Sequence, residues 1–418
     1  MRAQCSSLHP PTMTATPHGL PASTRRSILF LSFATFSSMT SQRICDAMLP
    51  ELAREFSVSL VQAAQVISVF AMVYGVLQVF YGPLGDRLGK FRVIAWATLG
   101  CSIGNGLAVF ATSLDLLLLA RMVSALGAAA IIPLGLAWIG DVADPKHLQE
   151  TIARVGLGTA LGISSGQFMG GLLTDTVGWR WAFAVLAALF FVVGVLLLAE
   201  VRRQQAASGG RPVPAVPGGA GFAKQALAVL RDGWTRTVLL VAVVEGLAGF
   251  GMLAIWATHL HGNLGLSLAA AGAVVALFGV GGLLYMMLAR HLIRRFAQRQ
   301  LAPMGATLVL GAALVMGFTP LAWLTIPASL LAGFGFFGFH NVMQANAAAM
   351  APAARGTAVS LFAAALFFGQ SVGVQVAAAL AARIGAGVTI TLGGAILCVL
   401  GLVFAQALRR REASLHSE

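Results

Sequence analysis

The sequence predicts an all-α polytopic membrane protein: twelve transmembrane helices set as two six-helix bundles. Three observations predict it. Of 418 residues, 58% are hydrophobic and only 10% charged, more apolar surface than a water-soluble core can hide. The apolar residues gather into twelve runs near the ~20 residues that cross a bilayer at about 1.5 Å each. The 27 Lys and Arg fall almost wholly in alternate connections between those runs.

In chain order, residues 1–26 are polar and Pro-rich and read as a tail. They have no secretory character, because the run after Arg25-Arg26 is long and no small-residue cleavage site follows it. Helices 1 to 6 are expected over 27–49, 60–82, 92–112, 115–138, 152–173 and 180–199, within the first bundle at 27–199. The stretch 200–235 carries Arg202-Arg203, Gly209-Gly210, Pro212, Pro214, Pro217 and Gly218-Gly219, a flexible basic linker. Helices 7 to 12 are expected over 236–258, 266–289, 301–319, 322–348, 356–380 and 386–408, within the second bundle at 236–408, before a short tail at 409–418.

With the N-terminus inside, 22 of the 27 bases face the cytoplasm, three (Arg54, Arg180, Arg383) face outward and two (Arg43, Arg121) lie within spans. Both termini are therefore expected in the cytoplasm. The bases sit between apolar runs rather than on one polar face, so the net charge of +13 reads as membrane-surface attraction and not nucleic-acid binding.

The halves read as repeats. A shift of 203 residues lays Gly166-Gln167-x-x-Gly170 on Gly369-Gln370-x-x-Gly373, and Arg87 and Arg92 on Arg290 and Arg295. Parallel repeats of this kind place a substrate site between them near the midplane.

Charges within spans cost roughly 2.5 to 3.5 kcal/mol each and so mark functional candidates. Helix 1 aligns Ser38, Gln42 and Asp46 on one face, with Arg43 beside them, and helix 4 carries Arg121 with Ser124 one turn on. Asp46 and Arg121 are expected at the same depth in the outer third, within reach of each other, as a proton-coupling pair or a structural ion pair, or with Asp46 simply exposed at the water interface. Glu245, the acid of helix 7, has no base within a turn on its own helix and reads as a proton or cation site, or as a neutral acid between helices. His340, Asn341 and Gln344 make a polar face on helix 10, for substrate contact, a proton relay or packing. Gln62, Gln65, Gln370 and Gln375 are weaker cavity candidates. Gly158, Gly162, Gly166 and Gly170 form a small-residue stripe suited to close helix packing, with Gly369 and Gly373 as its repeat partners.

No nucleophile elbow, phosphate loop or His-Glu-x-x-His motif is present, and Cys5, Cys45, Cys101 and Cys398 have no paired or metal-ligand spacing. No enzyme activity, metal or cofactor is expected.

One stretch is denser in motif than any other: Gly82-Pro83-Leu84-Gly85-Asp86-Arg87-Leu88-Gly89-Lys90-Phe91-Arg92, a charged island between apolar runs. It resembles the signature loop of major facilitator superfamily transporters. Asp46-x-x-Leu49-Pro50, Arg121 with Gly127-Ala128-Ala129, and Gly178-Trp179-Arg180-Trp181-x-Phe183 resemble the twelve-helix drug/proton-antiporter branch. Ala351-Pro352-x-x-Arg355-Gly356-Thr357-Ala358 resembles the arabinose-efflux-permease-like branch. The chain departs from the first branch at Ser124-Ala125, where Gln-Gly is usual, and at Gln167, where the helix 5 antiporter motif has proline.

The resemblance implies a secondary active transporter in a bacterial-type inner membrane, exporting small organic solutes against protons by alternating access. Proton symport or facilitated uptake is the alternative, and a non-transporting receptor or scaffold a remote one. Its partners would be a small solute, protons and the bilayer, with no nucleic acid and a monomer as the working unit. It implies a cavity lined by helices 1, 4, 7 and 10, with Asp46, Arg121, Glu245, His340 and Gln344 around it. Gly82, Gly85, Asp86, Arg87, Gly89, Lys90 and Arg355 are expected to form a cytoplasmic gate, in which Asp86 bonds the start of helix 11 near Arg355 to Thr357.

Overall fold

The computed structural model describes residues 22–142, 148–207 and 222–415. Parts of the predicted tails and linker, together with Cys5 and Lys146, lie outside that range. Twelve long helical segments among the described residues follow the twelve apolar runs. They are helix 1 Ala22–Arg43, helix 2 Gln65–Leu88, helix 3 Lys90–Val109, helix 4 Leu114–Val142, helix 5 Leu148–Thr176 and helix 6 Trp179–Ala207. After a linker helix, Phe222–Arg231, come helix 7 Gly233–Leu264, helix 8 Leu268–Arg295, helix 9 Gln298–Phe318, helix 10 Thr325–Ala349, helix 11 Arg355–Ile384 and helix 12 Ala386–Leu415. Nine of the twelve, helices 2, 4 and 6 to 12, are long and apolar enough to cross a membrane by length and composition. The described residues contain no strand.

Local chemistry sets the helix ends. Ser59 opens the run into helix 2 with a capping box: its hydroxyl accepts from Gln62 N, and Gln62 Oε1 accepts from Ser59 N at 2.9 Å. Gln62 is thus a cap rather than a cavity residue. Ser267 caps helix 8 by accepting from Ala270 N at 3.1 Å. At the same end of the molecule Glu55 accepts from Trp179 Nε1 and from Arg180 Nη1, and Arg180 Nη2 donates to Ala111 O at 2.9 Å. Partial burial works to raise the Glu55 carboxyl, but the hydrogen bonds from Arg180 and Trp179 outweigh it and hold the group below the usual carboxylate range.

The expected loop at 82–92 is almost entirely helical. Helix 2 runs to Leu88 and helix 3 begins at Lys90, so Gly89 alone lies outside both, at a φ of 89° that favours glycine. The helix continues past Pro83 because tertiary packing holds its last turns. A Cβ on Gly85 would sit 2.5 Å from Leu134 Cδ2, so helix 4 comes close only because Gly85 has none.

One core cluster lies mostly in helices 1 to 6 and two lie mostly in helices 7 to 12, with Ala47, Ala254, Val374 and Ala378 crossing between them. The glycine stripe explains the packing inside the first half. A Cβ on Gly158, Gly162, Gly166 or Gly170 would come within 2.6, 2.5, 2.6 and 2.1 Å of the carbonyl oxygens of Ser32, Phe36, Thr40 and Ile44 on helix 1. Equivalent contacts recur in the second half, where a Cβ on Gly369 would lie 2.0 Å from Val243 O and one on Gly373 would lie 2.3 Å from Leu247 O. Thr40 and Val243 differ by the same 203 residues as Gly166 and Gly369, as do Ile44 and Leu247. Two of the four contacts of the helix 1 to helix 5 joint, those of Gly166 and Gly170, are therefore repeated between helices 7 and 11.

Contacts between the halves gather toward the end that holds Asp175 and Ser267. There Asp175 Oδ2 accepts from Ala269 N at 2.6 Å, and a Cβ on Gly171 would meet Leu268 O at 2.1 Å. Farther in, Ser371 Oγ donates to Ser68 O at 2.8 Å and Tyr74 packs on Phe367 with ring centroids 4.5 Å apart. Toward the opposite end the halves part: a Cβ on Gly279 would still lie 2.1 Å from Ser164 Oγ, but two turns beyond Ser164 a Cβ on Gly156 would meet nothing within 4 Å.

Candidate functional site

Helix 7 loses regular α-geometry in its middle. Residues Gly246–Phe250 form a π-turn and Ile255 interrupts the helix again before Trp256. Wide turns of this kind re-aim side chains and recur at functional sites. Glycines make it possible here: a Cβ on Gly246 would meet Leu366 O at 2.0 Å, and one on Gly249 would meet Phe336 Cε2 at 2.5 Å.

Two side chains flank this turn. Glu245, fully buried, places Oε1 2.7 Å from Nδ1 of His340 on helix 10. The imidazole keeps 13% of its surface exposed and is framed by Phe336, stacked at 5.8 Å, with Phe337 and Phe362 beyond. The base that Glu245 lacks on its own helix is thus supplied across the bundle. Phe250, at the other end of the turn, carries the Arg43 guanidinium over its ring at 4.3 Å, a cation–π contact that joins the halves.

Arg43 also lies 3.4 Å from Asp46 Oδ2, and Gln167 Nε2 donates to the same oxygen at 3.4 Å. All three are buried, and Arg43 Nε, Asp46 Oδ1 and Gln167 Oε1 have no hydrogen-bond partner. The expected Asp46–Arg121 pair does not form. Helix 1 ends at Arg43, and Arg121 instead bridges the Ser41 carbonyl of its last turn to the Val66 carbonyl of helix 2. Its Nη1 donates to Ser41 O at 2.9 Å, its Nε to Val66 O at 3.2 Å, and its guanidinium lies 4.1 Å over Phe70. Gln167, the residue that stands in place of the motif proline, is the partner that sequence reasoning missed. Its signal was the Gly-Gln repeat, since Gln370, its counterpart, accepts from Gln42 Nε2 across the halves at 3.4 Å. Gln375 likewise lies 2.9 Å from Ser68 Oγ in the opposite half.

The other expected cavity residues divide. Ser38 Oγ donates to Ala128 O at 3.3 Å, between helices 1 and 4. Ser124 faces helix 3 rather than a cavity, because Gly104 has no Cβ and admits its backbone and hydroxyl, which a Cβ would approach at 2.4 Å. On helix 10, His340 and Asn341 are half-buried and Gln344 is exposed, so the polar face opens toward the end where the halves part. Asn346 turns away to Gln298 Oε1 at 2.9 Å.

The expected gate takes a different form. Asp86 does not bond helix 11. Its Oδ1 lies 3.5 Å from Lys90 Nζ one turn on, and Lys90 is itself held by Asp141 Oδ2 at 2.6 Å, within the first half. The start of helix 11 is tied to the linker helix instead, where Thr357 Oγ1 donates to Gln225 Oε1 at 3.0 Å. Among the described residues no group of three or more His, Cys, Asp or Glu is placed to hold a metal ion.

Comparison with known proteins agrees with this architecture. Residues 31–374 match the family model of the Major Facilitator Superfamily. The chain is 25% identical over 343 residues to the uncharacterized MFS-type transporter YceJ of Bacillus subtilis, covering 81% of this chain and 85% of that protein. It is 24% identical over 186 residues to the multidrug export protein EmrB of Escherichia coli K12, covering 44% of this chain and 36% of that protein, so it spans about a third of the exporter's length. In fold it resembles a bacterial homologue of the human lysosomal transporter Spinster, solved inward-facing and unoccupied, with a TM-score of 0.71 at 18% identity over 93% of this chain and 96% of that one. The helices that cross a membrane, the paired halves and the family match lead to one conclusion: this chain is a multi-pass membrane protein of the major facilitator superfamily, a family of transporters.

Proposed function

We propose that the protein is a proton-coupled exporter of small organic solutes, cationic or neutral, working by alternating access between halves 27–199 and 236–408. The Glu245–His340 pair carries this reading. A neutral imidazole that donates to a carboxylate leaves the pair net negative, and one further proton makes it neutral with the hydrogen bond kept. Away from water a net negative pair needs a counter-charge. A cationic solute supplies one, so proton release and solute binding favour each other. His340 is the exposed member and Glu245 lies behind it, so a proton from the open side meets the imidazole first.

Arg43 links this pair to the first half. It stacks on Phe250, five residues from Glu245 across the π-turn, and holds Asp46. A change in the charge of Glu245 moves the turn, and with it the contact that joins the halves. With both termini in the cytoplasm, the parted end faces inward and loads solute from that side, with the Asp175 end sealed. EmrB is named as a multidrug exporter, and that relative supports the outward direction. The test is accumulation of a cationic dye in an efflux-deficient host. Expression should lower it, Glu245→Gln should restore it, and raised accumulation on expression would make the protein an importer.

A further inference from the structure

We infer that a groove between the ends of helices 7 and 12 is a binding site for an anionic phospholipid, distinct from the transport pathway. The groove has a volume of about 420 Å³, and Trp234, Thr237, Gln406, Arg410 and Arg411 line it. It lies where both spans stop being apolar, at the depth of the headgroups.

Its cations are prepared for an anion. Trp234 stacks on Phe404 with centroids 5.8 Å apart, and the Arg411 guanidinium lies over its indole at 4.4 Å, which fixes Arg411 in place. Glu412, next along the helix, is taken by Arg299 at 3.1 Å, and among the described residues no carboxylate lies within ion-pair distance of Arg410 or Arg411. Asp232 caps helix 7 by accepting from Thr235 N at 2.7 Å, and the Arg411 charge reaches it without forming an ion pair. It closes the helix end to an anion, so the groove draws its charge from the two arginines. Thr237 and Gln406 add neutral polar groups at the same level.

The surface that leads away from the arginines is apolar and specifies a lipid rather than a free phosphate. Val403, on the groove wall, is 53% exposed, Val399 one turn back is 59% exposed, and Leu240, three residues past Thr237 on helix 7, is 66% exposed. These side chains form an exposed apolar track down both helices, against which an acyl chain could lie below a phosphodiester held by Arg410 and Arg411. Basic pockets between transmembrane helices bind anionic headgroups in this manner. The lipid would bridge the first turn of helix 7 to the last turns of helix 12.

The test uses the full-length protein purified in neutral detergent, titrated with phosphatidylglycerol, phosphatidylcholine or inorganic phosphate, with bound lipid counted by native mass spectrometry. Phosphatidylglycerol should be retained and phosphatidylcholine should not. Arg410→Gln with Arg411→Gln should weaken phosphatidylglycerol retention roughly 30-fold. Arg409→Gln, which removes one of the adjacent charges outside the groove, should leave it unchanged, and all variants should elute as single species. Equal loss in Arg409→Gln would reduce the effect to diffuse charge and overturn the site. So would equal retention of phosphatidylcholine, or displacement of the lipid by millimolar inorganic phosphate.

Discussion

Glu245 and His340, 95 residues apart on helices 7 and 10, meet at 2.7 Å with the carboxylate fully buried and the imidazole half-buried in front of it. That order sets their expected roles. On the proposed function the outer group would exchange protons with the open side, and the inner group, beside the π-turn, would convert its charge into movement.

Replacing His340 with Gln should slow transport without abolishing substrate binding. The amide can donate a hydrogen bond to Glu245 but cannot take up or pass on a proton. Initial rates of dye efflux should fall in H340Q, while dye binding to the purified variant stays near wild type.

Asp46→Asn should destabilise the protein by about 3 to 5 kcal/mol, the cost of removing one member of a buried pair. Arg43 would keep its stacking on Phe250 but lose its counter-charge, and its Nε already lacks a partner. Thermal unfolding in detergent checks this, and Arg43→Gln combined with Asp46→Asn should recover part of the loss because no lone buried charge is left.

Gly166→Ala should cost about 1 to 3 kcal/mol, since its Cβ would lie 2.6 Å from Thr40 O, and Gly369→Ala should cost about the same against Val243 O. Gly156→Ala, with nothing within 4 Å, should be neutral or stabilise helix 5 by up to about 1 kcal/mol. Melting temperatures of the three variants separate packing from helix propensity.

The Glu55 contact should make stability pH-dependent in acid. The folded-state carboxyl lies below its unfolded value, so the contact stabilises fully above the ordinary Glu range near ~4.3 and is lost as pH falls through the lower, folded value. Melting temperature should drop below about pH 4 in the wild type, and Glu55→Gln should reduce that slope.

The helices were legible because apolar length is a one-dimensional signal. Their ends were less so. Helix 12 was expected to stop at 408 and runs on through Arg409, Arg410 and Arg411, because a helix can outlast the hydrocarbon it crosses. The charged island at 82–92 read as a loop from its Gly and Pro, yet tertiary packing around Gly85 keeps it helical. The Gly158 to Gly170 stripe was readable because period-four spacing already defines a face. Partners were not. Whether Glu245 meets His340, and whether Arg121 takes Asp46 or the carbonyl of Ser41, depends on helix rotation and on where helix 1 ends, neither of which local sequence encodes.

The central claim is that Glu245 couples proton movement to solute movement. Purified protein in liposomes with a pH-sensitive dye inside, challenged with a cationic substrate, measures it directly. The account predicts substrate-driven proton flux in the wild type and none in Glu245→Gln, in which the cationic substrate should also bind more weakly because the negative charge it neutralises is gone. Undiminished proton flux in Glu245→Gln would contradict it.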